Sequence, residues 1–182
     1  AIDNIAKLLS LKRESISKHT DVVVMPFLSG ERLPNYPNSR GSVYGIDHST
    51  KSGEILLAAY EGVVYSLVQS LEVLNQHSSG ILSESPIILV GGGAKGKIWQ
   101  DTIVRFSGRD ILIPKSDELV AYGAASQAAG ILNNENAIDI STRWNISYGE
   151  RISSTEKDIK SLERIKEIRE YAHEINSSNL YC

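Results

Sequence analysis

The residues best suited to bind a ligand form a glycine-rich turn near the middle of the chain, GGGAKGK at positions 91–97. The apolar run 86–90 precedes it and predicts a buried parallel strand, and apolar residues at helical spacing predict a helix over 96–107. Glycines between a strand and a helix let the backbone approach a ligand, while free amides and the helix dipole attract an anion. The pattern favours an anion-binding turn, although a tight strand–helix connection without a ligand has the same sequence.

Two known phosphate-binding loops match this turn only in part. The glycines of 91–96 satisfy the dinucleotide pattern G-x-G-x-x-G, which requires an acidic residue at the end of the next strand. Asp110 lies at the right distance but at the start of that strand. The P-loop pattern G-x-x-x-x-G-K also fits as far as Lys97, but it requires a Ser or Thr hydroxyl for magnesium at the next position, which is Ile98. Neither loop type is therefore predicted.

Strand and helix patterns alternate along most of the chain, which predicts an α/β protein with parallel strands and crossover helices. The helix at 54–77 is apolar on nearly every side and is expected to be buried. The helix at 117–132 is rich in Ala and Gly and is expected to pack closely on its neighbour. Strands are predicted at 21–25, 86–90 and 110–113, and helices at 2–9, 54–77, 96–107, 117–132 and 156–175.

A polar stretch at 27–53 separates the first predicted strand from the long helix. It is rich in Gly, Pro, Asn and Ser, and loops of this length are usually functional or lie at a domain junction. The neighbouring Glu31 and Arg32 are expected to brace this loop. Tyr36 is expected to pack within the loop rather than to stack on a ligand.

Composition argues against several classes of partner. The chain has 182 residues and a formal charge of -3, and its basic residues are scattered, so nucleic-acid binding is not expected. The longest apolar helix candidate, 55–74, contains Glu61, Gln69 and Glu72, which a membrane span would not carry near its centre. The single cysteine, Cys182, fits a cytoplasmic protein, and the 4 dispersed histidines predict no metal site.

Three blocks in the first third of the chain resemble one enzyme family. GSVYGI at 41–46 is followed after a spacer by EILLAAYE at 54–61, and together they resemble the second signature of the FGGY carbohydrate kinases. PFLSGERLP at 26–34 resembles that family's P-Y-L-S-G-E-R-T-P loop, with Leu33 in place of the usual Thr.

Two later blocks carry the same resemblance. GGGA at 91–94 with Trp99 and Gln100 resembles the family's adenine-nucleotide loop. Glu118 with GAA at 123–125 resembles its closing helix. Because the blocks follow the family's order and spacing over nearly the whole chain, the match is highly specific.

The resemblance implies the ribonuclease-H-like, actin-like ATPase fold, with an active site in the cleft between two such domains. Residues 1–133 would form the C-terminal, nucleotide-holding domain, and 134–182 would form a tail whose amphipathic helix packs on it. The domain's first antiparallel strands would lie upstream of Ala1. Their loss would uncover a sheet edge or an apolar face, so homo-oligomers are expected.

The resemblance also implies ATP and Mg²⁺ as cofactors. The backbone of Gly91, Gly92, Gly93 and Ala94 would lie against the adenosine and inner phosphates. Lys97 stands where many relatives keep a polar residue near the adenosine, and it could reach a phosphate or point to water. The general-base Asp would lie upstream, so the chain holds no catalytic residue and is not expected to phosphorylate a sugar alone.

The identity of the sugar is implied only by the long loop. ERLPNYP at 31–37 and NSRG at 38–41 are most similar to xylulokinases, although gluconate- and ribulose-directed members share much of this loop. The sugar would be bound mainly by the missing N-terminal domain. A non-catalytic actin-like nucleotide-binding module and a dinucleotide-dependent oxidoreductase are the alternatives from other classes. A catalytic Asp upstream would favour the kinase, and stabilisation by ATP but not NAD would exclude the oxidoreductase.

Overall fold

The first strand and the end of the long loop form a small antiparallel sheet. A computed structural model of the chain describes residues 19–32, 35–78, 85–116, 118–144 and 148–177, so the helix expected at 2–9 lies outside the described residues. Strand β1 (Val23–Met25) pairs with β2 (Ser42–Tyr44). The strand expected at 21–25 is confirmed. β2 was not expected, because it lies inside the polar stretch 27–53.

The second sheet has three strands, β3 (Ile87–Ile88), β4 (Ile111–Pro114) and β5 (Tyr148–Ile152), in the order β3-β4-β5. β3 runs parallel to β4, as expected, whereas β5 is antiparallel to β4. The expectation that the strand at 86–90 is buried is wrong. β3 is an edge strand among the described residues, and Ile88 and Val90 are 47% and 58% exposed.

The long helix α1 (Ser52–His77) lies against β1 through one face. Val64 is fully buried on that face, but Leu74 is 57% exposed, so the expectation that the helix is buried is correct for one face and wrong for the other. Gly62 permits the close approach, because a Cβ there would lie 2.1 Å from the carbonyl oxygen of Val24. None of the helices among the described residues is long and apolar enough to cross a lipid bilayer.

Helix α2 (Lys97–Ser107) follows the glycine-rich turn and packs on α1. It ends at Gly108, which has a left-handed conformation (φ 66°) and whose amide donates a hydrogen bond to the Val104 carbonyl. The sequence predicts this C-cap. Ile103, Val104 and Phe106 of α2 join the buried core between α1 and the strands.

Helix α3 (Leu119–Asn133) packs on the short helix α4 (Ala137–Arg143), which the sequence did not predict. The expectation that it packs closely is correct only at this contact. Gly130 lets the chain turn back, because a Cβ there would lie 2.8 Å from the Glu135 carbonyl oxygen. Elsewhere the helix is uncovered, with Val120 86% and Leu132 85% exposed.

The last helix, α5 (Ile159–Ser177), covers the core from the side of β1 and α1. Ile165 and Ala172 are buried in the same core cluster as Val23 and Phe27. The amphipathic helix expected at 156–175 is therefore present. Its start at Ile159 is later than expected because the preceding Asp158 accepts hydrogen bonds from the amide of Ser161 at the helix start.

Candidate functional site

The glycine-rich turn lies at the carboxyl end of β3, where parallel sheets place their ligands. Gly91 has φ 90° and ψ 175°, a conformation that is essentially limited to glycine. A short 3-10 helix, Gly92–Lys95, follows and is closed by the amide of Ala94 donating to the Gly91 carbonyl at 3.0 Å. Gly96 is the N-cap of α2, which begins at Lys97. Two helix beginnings thus follow the strand in succession.

Gly92 and Gly93 have no packing reason to be glycine among the residues that the structure describes. A Cβ added at either position would meet nothing within 4 Å, and both residues are exposed. Amides in the first turn of a helix have no carbonyl partner within that helix. The turn therefore offers bare backbone donors beside open space, which fits an anionic group that approaches the main chain closely.

Gln100 connects this turn to α2. It is only 6% exposed, and its Nε2 donates to the carbonyl oxygen of Ala94 at 2.7 Å. Sequence reasoning included Gln100 in the family block but gave it no role. Its position three and four residues before the buried Ile103 and Val104 was the available signal that this amide faces inward.

Lys97 begins α2 but its ammonium group faces along the helix. Its Nζ lies 2.5 Å from Oδ1 of Asp101, one turn further on, and both side chains are largely exposed. An exposed pair of this kind is worth less than about 1 kcal/mol. Lys97 can therefore leave Asp101 for a stronger anion at little cost.

Asp110 and the turn lie at opposite ends of the parallel strands, because Asp110 precedes β4 whereas the turn follows β3. The amide of Ser154 donates to its Oδ1 at 2.7 Å, and Arg151 donates to Oδ2. The backbone hydrogen bond from Ser154 and the bonds from Arg151 lower the pKa of Asp110. This geometry agrees with the exclusion of the dinucleotide pattern.

Among the described residues, no group of three or more His, Cys, Asp or Glu side chains is placed to hold a metal ion. The turn itself carries no carboxylate.

The long loop is held by aromatic packing. Glu31 and Tyr36 exchange two backbone hydrogen bonds of 2.9 and 2.8 Å, and the amide of Arg32 donates to the Glu31 carboxylate at 2.7 Å. The Tyr36 ring stacks on His173 of α5 with a centroid distance of 3.9 Å and meets Phe27 edge-on. Tyr36 packs within the protein, as expected, and its partner comes from the last helix.

Arg169 of α5 fills the space beneath this loop. It is 4% exposed and lies over the rings of Phe27, Tyr36 and Tyr65, 4.9–5.8 Å from their centroids. Its Nη1 donates to Gln69 at 2.6 Å, and burial lowers the pKa of its guanidinium. The loop is thus fixed to α1 and α5 by one enclosed cation.

A buried ionic cluster holds the far end of α2. Arg105 donates to Glu61 of α1 at 2.5 Å and to Asp158, just before α5, at 2.6 Å. Glu61 is 1% exposed, and burial raises its pKa despite the hydrogen bond from Arg105. A second arginine, Arg164, lies 3.4 Å from the other Glu61 oxygen. Sequence reasoning missed this cluster, although a carboxylate within an apolar helix must be paired when buried.

The pKa of Asp158 is the balance of opposing causes. Desolvation raises it, but the hydrogen bonds from the amide and hydroxyl of Ser161 and the charge and hydrogen bond of Arg105 outweigh that effect and lower it. Asp158 is therefore a stable anion that joins the start of α5 to the end of α2.

The sheet, the helix that connects its parallel strands and the glycine-rich turn at a strand end place this protein in the α/β class. A solved xylulose kinase from Rhodospirillum rubrum superposes with a TM-score of 0.76 at 18% identity, over 97% of this chain and 38% of that one. The fold is accordingly the actin-like ATPase fold. The model of the C-terminal domain of the FGGY family of carbohydrate kinases matches residues 3–130. The chain belongs to this family.

Two curated relatives are xylulose kinases of Streptomyces. The protein of Streptomyces coelicolor is 45% identical and that of Streptomyces rubiginosus 42% identical, each over 165 residues. These alignments cover 91% of this chain but 34% of each relative. The chain thus spans about a third of the length of the relatives that it matches.

Proposed function

We propose that this chain is the ATP-binding part of a sugar kinase that transfers the γ-phosphate of ATP to a hydroxyl of D-xylulose. The identities of 45% and 42% with xylulose kinases support this proposal. Gluconate and ribulose are the alternative acceptors, because relatives directed to these sugars have a similar loop at 31–41. The single cysteine supports a cytoplasmic location.

The glycine-rich turn is the observation that carries the proposal. The backbone of Gly92, Gly93 and Ala94 would lie against the adenosine and inner phosphates, with the amides of Gly92 and Gly93 as donors, and Gly91 would supply the conformation that turns the backbone towards them. Lys97 would exchange Asp101 for a phosphate oxygen. Mg²⁺ bound with ATP would neutralise charge on the phosphates when the phosphoryl group is transferred.

The general base and most sugar contacts would lie outside this chain, which spans 34% of its relatives. Phosphoryl transfer depends on positioning the acceptor against the nucleotide, so half of a cleft supplies little catalysis. The chain alone is expected to bind nucleotide without turnover. A coupled assay that detected sugar-dependent ADP release from the chain alone would contradict this.

The nucleotide site is tested by calorimetry of the chain with Mg–ATP and Mg–ADP, beside NAD. Gly93→Ala adds a methyl group to the open space of the turn, and Gly123→Ala adds the same group to open space on α3. We expect the first variant to weaken nucleotide binding by about tenfold or more, equivalent to about 1.4 kcal/mol. The second variant is the matched control and should bind as the wild type does.

Equal affinity in both variants would contradict binding at this turn. Stabilisation by NAD and not by ATP would instead favour an oxidoreductase. The acceptor is tested on the full-length parent protein by comparing kcat/KM for D-xylulose, gluconate and ribulose. D-xylulose should give the highest value.

We also propose that the chain associates with copies of itself. The β3 edge presents Ile88 and Val90 to solvent, and α3 presents Val120 and Leu132. An open strand edge beside apolar surface invites pairing with another chain. α3 carries no charged residue that would oppose such contact.

A further inference from the structure

We propose that Gln100 is a positioning residue that holds the glycine-rich turn in its ligand-accepting shape. It would act through the carbonyl group of Ala94 and would not itself touch the nucleotide. This inference rests on the proposed nucleotide site and adds a residue to which no role has been given.

Ala94 is held on both sides. Its amide donates to the Gly91 carbonyl at 3.0 Å, and its carbonyl accepts from Gln100 Nε2 at 2.7 Å. Ala94 is 5% exposed and Gln100 6%, so water cannot readily replace the side-chain bond. The main-chain amide of Gln100 donates to Gly96 in the first turn of α2. Gln100 therefore ties the 3-10 helix to α2 across the bend between them.

This turn needs such a tie because its own sequence does little to maintain it. A 3-10 helix of one turn has poor hydrogen-bond geometry, and consecutive glycines lose the most conformational freedom on folding. Gly92 and Gly93 have no side chains to pack and no neighbour where a Cβ would lie. The bond from Gln100 to the Ala94 carbonyl is thus a side-chain contact that opposes rotation of a peptide unit within this turn.

The consequence for binding follows from populations. If the turn spends part of its time with its amides turned away, the apparent dissociation constant rises in inverse proportion to the competent fraction. Loss of one buried hydrogen bond shifts such an equilibrium by about five- to tenfold. Nucleotide affinity should therefore fall when the Gln100 amide is removed, by the whole of this factor where the competent arrangement is the minor population and by less where it is the major one.

The test compares Gln100→Met with Thr102→Val in the 182-residue chain. Both variants remove a buried donor from α2: Thr102 is 2% exposed and donates to the Ile98 carbonyl at 2.7 Å, the same length as the Gln100 bond. Only the Gln100 bond reaches the turn. Hydrogen exchange of the peptide covering 91–96 is measured without ligand, and the dissociation constant of Mg–ADP is measured by calorimetry.

We expect Gln100→Met to speed exchange at 91–96 and to weaken Mg–ADP by more than about twofold and at most about tenfold, while Thr102→Val changes either by less than about twofold. Unchanged exchange in Gln100→Met overturns the inference, as does an unchanged dissociation constant when exchange is faster. If the wild type binds no nucleotide, the proposed function fails by itself, and the exchange result still decides whether Gln100 holds the turn.

Gln100→Glu provides a readout that a merely structural residue would not move. A carboxylate cannot donate to the Ala94 carbonyl, but a protonated carboxyl can. The exchange rate at 91–96, taken as a ratio to wild type at each pH, should return towards one as the pH is lowered. A ratio that does not change with pH would contradict the role of the donated hydrogen bond. Gln100→Asn, which is shorter but remains polar, replaces Gln100→Met if the latter fails to fold.

Discussion

Removing the guanidinium of Arg105 should destabilise the chain more than removing any exposed ion-pair partner. Arg105→Met keeps most of the aliphatic stem and deletes the group that bonds to Glu61 and Asp158. Glu61 is 1% exposed and cannot turn to water, whereas the side chain of Asp158 is 14% exposed. Most of the lost stability therefore comes from Glu61, whose carboxylate would stay buried without this partner.

The expected loss is about 3 kcal/mol. Deleting one partner of a buried ion pair costs about 3 to 5 kcal/mol, because the remaining charge stays desolvated. The lower end applies here, since Arg164 remains 3.4 Å from Glu61. Glu61 can also take up a proton, because burial already raises its pKa. A loss of this size is a large share of the free energy of unfolding of a small domain, which is about 5 to 15 kcal/mol.

Urea unfolding at pH 7 measures the change, with Arg143→Met as the matched control. Arg143 pairs with Glu135 at 2.9 Å, but both side chains are exposed, so its loss should cost less than about 1 kcal/mol. In the double variant Glu61→Leu/Arg105→Met the buried carboxylate is gone and Arg164 keeps its ion pair with Asp21, so most of the loss should be recovered.

The pH dependence has a definite sign. A carboxyl whose folded pKa lies above its unfolded value binds more protons when folded, so it favours the folded state as the pH falls. The deficit of Arg105→Met should therefore shrink between pH 7 and the ordinary pKa of Glu61, 4.5. A loss below about 1 kcal/mol, or a double variant no more stable than the single one, would refute this account of the cluster.

Three further outcomes are expected. Gly62→Ala should lower stability by about 1 to 2 kcal/mol in urea unfolding, because the clash with the Val24 carbonyl costs more than the roughly 1 kcal/mol gained in helix propensity. The pKa of Asp158 is lowered in the folded chain, so its contribution to stability is complete above its ordinary pKa of 3.8 and is lost as the pH falls through its folded pKa. Asp158→Asn should therefore weaken the dependence of stability on pH in this acid range, as measured by urea unfolding. Light scattering should show oligomers of the wild type and smaller species for Val120→Lys/Leu132→Lys, and uniform wild-type monomers would count against self-association.

The elements with a strong periodic pattern were predictable from the sequence. The long helix, α2 with its Gly108 cap and the amphipathic last helix all have apolar residues at helical spacing, and β1 is a short β-branched run. β2 and β5 were not predictable in this way. Residues 42–44 and 148–152 include polar and charged side chains, and these strands form because a neighbouring strand offers hydrogen-bond partners.

The candidate site was predictable in position but not in its supports. Consecutive glycines after an apolar run marked the turn, because only special backbone geometry or a close ligand requires them. The hydrogen bond from Gln100 to Ala94 depends on the angle between the 3-10 helix and α2, which a linear pattern does not specify. Arg105 and Arg169 likewise received no role from the sequence, because their partners lie 44 and 100 residues away along the chain.

The burial of Arg169 limits how far this protein can be shortened at its carboxyl end. The family match ends at residue 130, but the aromatic slot formed by Phe27, Tyr36 and Tyr65 is filled from the last helix. A chain that ended at residue 130 would lack Arg169 and the rest of α5, and Val23 and Phe27, which pack in the same core cluster as α5, would become exposed to solvent. A shortened form of this chain should therefore retain residues through α5, even though the glycine-rich turn lies more than sixty positions earlier.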